Sequence, residues 1–152
     1  MDISSKGSYP SNALSNFAAH RFTFDGVQCN SMEGLLQSFK FEKREIQEFV
    51  CTLVGAGAKR RGASRTKAWQ RVQTLWWNGV AYPRKSKEYQ ALLTRAYDAL
   101  YTESEGFRRA LEASGDAVYR HSFGRSNESE TVLTTAEFCG QLTRLRDRQR
   151  AV

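Results

Sequence analysis

The sequence predicts an α+β domain that is mainly helical and carries one small β hairpin. Apolar residues recur at helical spacing through four stretches, one short alternating run surrounds an Asp-Gly pair, and no run of strands is long enough for a larger sheet. At 152 residues and 17.3 kDa the chain is one domain's length, enough to bury a core without metal or disulfide.

Residues 1–13 are polar and include Pro10, and are expected as a loosely ordered N-terminal arm. Arg21 to Cys29 alternates apolar and polar residues around Asp25-Gly26. This pattern predicts strands over about 20–24 and 27–29. Asn30 or Ser31 then caps a helix to about Leu53, with Met32, Leu35, Leu36, Phe39, Ile46, Phe49, Val50 and Leu53 inward and a break near Glu42. Gly55 and Gly57 read as a turn or mobile loop. A second helix is expected over Thr66 to Trp77 with Trp69, Val72, Leu75 and Trp76 or Trp77 inward, ended by Asn78-Gly79 and Pro83. A third covers Ser86 to Tyr101, a fourth Glu105 to Ala113, and Gly115 to Asn127 is mostly loop with room for a strand at 117–120. Thr134-Thr135-Ala136-Glu137 opens the last helix as a capping box. The domain proper is expected over 14–147, followed by a basic tail at 148–152.

Composition excludes several classes. Hydrophobic residues are 40% and charged residues 26%, a globular rather than disordered balance. No apolar run approaches the roughly 18 residues a membrane span needs. The opening MDISSKGSYPSN lacks an apolar signal core, which predicts a cytoplasmic protein. Cys29, Cys51 and Cys139 are odd in number and far apart, with no CxxC spacing. They are expected as core residues, with no metal site and no cofactor. No GxGxxG or GxxxxGK[ST] motif occurs. Lys plus Arg is 23 against 16 acids, a net charge of +7 that points to an anionic partner.

Three features can carry chemistry. Glu33, Gln37, Lys40 and Arg44 fall on one face if the first helix is continuous. Glu33 can complete a capping box with Asn30, or it can line a cleft as a base or as a stabiliser of positive charge. Lys59, Arg60, Arg61, Arg65, Lys67 and Arg71 form a basic run around Trp69. They are either a solvated helix face or a phosphate-binding surface beside an aromatic stacking plane. The loop His121-Ser122-Phe123-Gly124-Arg125-Ser126-Asn127 can present backbone N–H groups to an anion, or simply connect elements.

Leu14-Ser15-Asn16-Phe17, Phe24-Asp25-Gly26, and Ser31-Met32-Glu33 with Gln37 and Lys40-Phe41 together resemble the NADAR (YbiA-like) family. Ala58-Lys59 with Gly62, Trp69, and the ending Thr131 to Cys139 are similar to it as well. The likeness covers about residues 12–147. It departs at Gly34, where the family pattern has His, and no Asp-x-x-Trp-Gly segment is present; the region from His121 to Asn127 stands in its place.

The resemblance implies a YbiA-like fold and hydrolysis of a ribose C1–N bond. Its substrates would be ADP-ribose attached to guanine in nucleic acid, or phosphoribosyl intermediates of the riboflavin pathway. It implies Glu33 and Trp69 as the catalytic pair. The substrate-binding set expected with them is Asn16, Phe17, Gln37, Lys40, Lys59, Arg60, His121, Ser122, Gly124 and Asn127. Cleavage of such a bond builds oxocarbenium character on the ribose, which a carboxylate stabilises. Two other readings are a module that binds ADP-ribose without turnover and a basic nucleic-acid binder whose Glu33 is only a cap.

Overall fold

A computed structural model describes residues 1–151. The element order is α1 (Ser11–Leu14), β1 (Phe22–Phe24), β2 (Val27–Cys29), α2 (Met32–Ser38), α3 (Arg44–Cys51), α4 (Gly55–Ala63), α5 (Thr66–Val72), β3 (Thr74–Trp77), β4 (Val80–Pro83), α6 (Lys87–Glu103), α7 (Glu105–Ala113) and α8 (Thr135–Arg150). It is the mainly helical α+β class, with two separate two-stranded antiparallel sheets instead of one.

The first hairpin forms as expected. Asp25 (φ 48°) and Gly26 (φ 81°) both take the left-handed conformation that a two-residue turn requires, and Phe24 pairs with Val27. Phe22, Phe24, Val27 and Cys29 are buried, so the inward face is the apolar one.

Asn78-Gly79 uses the same chemistry (φ 53° and 81°) to turn a second hairpin, with Trp77 opposite Val80. This corrects the helix expected to reach Trp77. Gln73, left-handed at φ 52°, ends α5 after Val72. Thr74-Leu75-Trp76-Trp77 then buries Leu75 and Trp77 at period two. Val72, expected inward, is exposed for the same reason.

The long first helix is two helices. After Ser38 the chain leaves the helix, and the Phe39 carbonyl accepts from Trp76 N–H at 2.8 Å. Gln47 Nε2 donates to Ser38 O and Trp76 O at 3.3 and 2.7 Å. The break expected near Glu42 is thus satisfied by the second hairpin. The interruption also turns Phe49, expected inward, to solvent. Gly55 carries the expected turn (φ 51°), but the segment after it is helix α4, not a loop.

The later helices follow their caps. Ser86 Oγ accepts from Tyr89 N–H and starts α6, whose Tyr89, Leu92, Leu93, Ala96, Tyr97 and Leu100 are all buried. Ser104 ends α6 and caps α7. Thr134 and Glu137 form the full capping box of α8. Residues 117–120 form no strand beyond a single parallel bridge from Arg120 to Asp2.

That bridge matters, because the first residues are not a loose arm. Ile3 is fully buried, its N–H donates to Arg120 O at 2.7 Å, and Arg120 N–H donates to Met1 O at 2.8 Å. The arginines at the other end are engaged as well. Helix α8 runs to Arg150, so residues 148–150 are helix and not a tail. Arg144 and Arg148 face Asp98, Arg150 faces Asp116, and buried Arg146 donates to the Gly115 and Ala117 carbonyls. No helix is long and apolar enough to cross a membrane among the described residues.

Candidate active site

The start of α2 is held by several bonds. Ser31 Oγ accepts from Gly34 N–H at 3.0 Å and donates to Leu53 O at 2.9 Å. Ser31 is therefore the cap, and the expected box between Asn30 and Glu33 does not form; Asn30 Nδ2 donates to Thr52 O instead. Gly34 lies against the C-terminal end of α3. A Cβ there would stand 2.7 Å from Leu53 O and 3.0 Å from Val50 O, so this chain has no room for a side chain where the family pattern has His.

With its cap role removed, the Glu33 side chain is free for another. The Glu33 N–H donates to Asn16 O at 3.0 Å, which ties the Leu14-to-Phe17 segment to α2. Tyr97 OH donates to Asn16 Oδ1 at 2.8 Å. Burial pushes the Tyr97 hydroxyl well above its ordinary range and keeps it a donor. Asn16 thus has its carbonyl oxygen occupied and its NH₂ group left to donate.

Gln37 Nε2 donates to Glu33 Oε2 at 2.7 Å. Burial raises the Glu33 carboxyl above the ordinary glutamate range; the Gln37 hydrogen bond and the charges of Lys40, Lys59 and His121 oppose that rise without cancelling it. Lys40 follows the end of α2. It is buried, donates to Thr66 Oγ1 at 3.2 Å, and burial pulls its ammonium down to about 8 despite the nearby Glu33 charge.

Glu33 lines a cleft of about 390 Å³. Its walls are Ser4 to Lys6, Ser15 to Phe17, Leu36 and Gln37 of α2, Lys59 of α4, the loop residues His121 and Phe123 to Arg125, Thr131 to Leu133, and Phe138. Glu33 is the one carboxylate among these lining residues. The loop is pinned to the N-terminal segment. Ser122 N–H and Oγ donate to the two Asp2 carboxylate oxygens at 2.8 and 2.6 Å, and these bonds hold that carboxyl below its ordinary range. His121 Nδ1 lies 2.8 Å from Ile3 O. A carbonyl only accepts, so Nδ1 carries the proton and Nε2 is the ring's second functional nitrogen.

Of the residues expected at a site, the fold gathers Asn16, Phe17, Glu33, Gln37, Lys59, His121 and Gly124 in one cleft. Lys40 stands behind this wall and acts on Glu33 through its charge. Arg60, Ser122 and Asn127 are exposed and do not line it, and Ser122 is spent on Asp2. Arg44 belongs to the next helix, where it pairs with Glu48 and Asn78. Trp69 is a core residue, 1% exposed, with no acceptor for its indole N–H. It is not on the cleft wall, so the expected stacking on a sugar or base is not offered at this surface. The N-terminal wall, Ser4 to Lys6, carried no signal in the sequence. Phe123 and Arg125 lay inside the expected loop but were not singled out. Among the described residues, no group of three or more His, Cys, Asp or Glu is placed to hold a metal ion.

Comparison with known proteins defines the fold first. The chain shares the fold of the E. coli protein YbiA: the NMR structure of that protein matches at a TM-score of 0.64, over 99% of this chain and 84% of YbiA, with 20% identity. The family is narrower. The chain belongs to the bacteriophage protein GP30.3 family, whose model matches residues 8–147. It is 40% identical over 148 residues to the 17.1 kDa protein of the Gp30-rIII intergenic region of Enterobacteria phage T4, covering 97% of both chains.

Proposed function

We propose that this protein is a NADAR-type N-glycosidase that hydrolyses a ribose C1–N bond in an ADP-ribosyl or phosphoribosyl compound. The observation that carries the reading is Glu33. A carboxyl with a raised affinity for its proton, braced by Gln37 and neighboured by Lys40 and Lys59, lines the one large cleft together with the Leu14-to-Phe17 segment. The motif residues that resemble the NADAR family, and the fold shared with YbiA, support it.

In this reading the C1–N bond breaks with its electron pair leaving on the base nitrogen, and the ribose gains oxocarbenium character. The Glu33 carboxylate stabilises that charge and takes a proton as water attacks C1. The departing base takes up one proton, for which His121 Nε2 is the nearest titratable donor lining the cleft. Asn16 positions the sugar, and Lys59 answers a substrate phosphate.

A second reading, binding without turnover, is favoured by the fact that Glu33 is the single carboxylate lining the cleft. Incubation with ADP-ribosylated guanine nucleotide or DNA, followed by chromatography, separates the two. Wild-type protein should release free ADP-ribose and Glu33→Gln should not, while both bind ADP-ribose. Saturable binding with no release by the wild type on a panel of ribosides establishes the binding module. A Glu33→Gln variant with near-normal rates on every accepted substrate removes Glu33 from the chemistry.

A further inference from the structure

Phe123 is 76% exposed, although it lies in a pinned loop lining the cleft. A large aromatic ring normally gains by burial, and a free loop would let it turn inward. Here it is held outward. His121 and Ser122 are bound to Ile3 and Asp2, Gly124 N–H donates to His121 O at 3.0 Å, and Thr135 N–H donates to Arg125 O at 2.9 Å. The loop cannot easily relax at Gly124 either, because a Cβ there would stand 2.7 Å from the His121 ring. The ring is flanked by Arg125 in the same loop and by Lys6 across the cleft. Among the described residues Lys6, Lys59 and Arg125 form no ion pair, whereas most arginines of α8 do.

We propose that the rim of this cleft is a nucleoside-diphosphate subsite in which Phe123 stacks on the base and Lys6 and Arg125 bind the phosphates. An aromatic plane with unpaired cations beside it matches the two halves of a nucleotide, since base–aromatic stacking and guanidinium–phosphate pairing are the recurring contacts for that chemistry. A cleft of about 390 Å³ also falls within the size range of small-molecule sites. The inference rests on the N-glycosidase reading for its meaning: the riboside at Glu33 would carry a second nucleoside through a diphosphate, which favours an ADP-ribosyl substrate over a simple phosphoribosyl one.

The test is calorimetric binding of ADP and of ribose 5-phosphate to the wild type, Phe123→Ala, Lys6→Ala/Arg125→Ala, and Glu33→Gln. Wild type and Glu33→Gln should bind ADP alike. Phe123→Ala should weaken ADP about tenfold, as loss of one base stack does, and leave ribose 5-phosphate unchanged. The double variant should weaken both, with a reduced salt dependence. Phe123 is exposed, so an unchanged melting temperature checks folding. ADP affinity equal in Phe123→Ala and wild type overturns the subsite, as does ribose 5-phosphate binding as tightly as ADP. The two proposals fail separately: ADP binding that depends on Phe123 without any glycoside cleavage leaves the subsite and removes the enzyme, and cleavage indifferent to Phe123 does the reverse.

Discussion

Gln37 Nε2 stands 2.7 Å from Glu33 Oε2, one turn further along α2, while its own Oε1 is buried with no donor. A glutamine so placed spends half of its hydrogen-bonding capacity on holding one carboxylate. The arrangement favours the charged form of Glu33 against a burial that disfavours it, and it fixes the rotamer that lines the cleft.

Replacing Gln37 by Leu should therefore be felt in chemistry before stability. The anion of Glu33 loses its hydrogen bond, so its carboxyl rises further. The acidic limb of a pH–rate profile should move to higher pH, and kcat/KM near neutrality should fall by about tenfold, within the range of general acid–base contributions. Stability should be nearly unchanged, because an unpartnered buried carbonyl leaves with the side chain. A profile superimposable on the wild type would remove Gln37 from the positioning of Glu33.

Gly62 of α4 packs directly on Gln37. A Cβ at 62 would overlap Gln37 Oε1 and stand 2.6 Å from its Cδ. Gly62→Ala should cost about 1–3 kcal/mol in urea denaturation, the usual range for overpacking, and lower turnover as Gln37 is displaced. Gly57→Ala in the same helix meets nothing within 4 Å and is the control. It should be neutral or stabilising by up to about 1 kcal/mol from helix propensity alone.

Arg84 braces the far wall of the cleft. It is fully buried, donates to Glu137 Oε1 and Oε2 at 2.7 and 3.1 Å and to Thr131 O at 2.9 Å, and lies over the Tyr89 ring. These bonds join the end of the second hairpin to the first turn of α8 and to the Thr131-to-Leu133 wall. Arg84→Met should destabilise by about 3–5 kcal/mol, the cost of leaving the partner of a buried pair uncompensated. Denaturation midpoints measure this, and a loss below 1 kcal/mol would show that the pair contributes little.

The buried Lys40 ammonium gives a pH signature. Its folded value is pulled from 10.5 to about 8, chiefly by burial. Between those two values the unfolded chain binds more protons than the folded one, so this residue makes stability rise with pH across that window. Below pH 8 its cost is fully present. Lys40→Met should be more stable than the wild type at pH 7, by about 1–3 kcal/mol, and the difference should shrink by pH 10. It should also lower turnover, because Glu33 loses a neighbouring positive charge. A variant less stable than the wild type at pH 7 would contradict the burial cost.

The readable parts of the fold were those with local signals. Asp25-Gly26 and the Thr134–Glu137 box satisfy backbone groups within four residues of themselves, so their sequences state their structures. Asn78-Gly79 carried the same hairpin signal but was read as a helix stop, because Trp69, Val72, Leu75 and Trp76 also fit a helical period. Short apolar runs do not separate the two periods. What decided between them was tertiary: Trp76 N–H and Gln47 satisfy the carbonyls left where α2 ends, and that pairing requires β3 to be extended.

The site divides in the same way. Glu33, Gln37, Asn16, Phe17 and Lys59 were legible because their spacing and resemblance are properties of the chain order. The removal of Trp69 from the cleft wall, the exclusion of Arg44, and the use of Ser4 to Lys6 as a wall were not legible. Each depends on which element packs against which. A tryptophan within a basic run has the same sequence whether it faces a ligand or the core, and a polar first segment has the same sequence whether it is loose or bridged to Arg120. The chain by itself thus determined the helical class, the first hairpin, the caps and the carboxylate at position 33. Only the tertiary structure decided what surrounds that carboxylate, because burial and charge proximity arise from contacts between residues far apart in the chain.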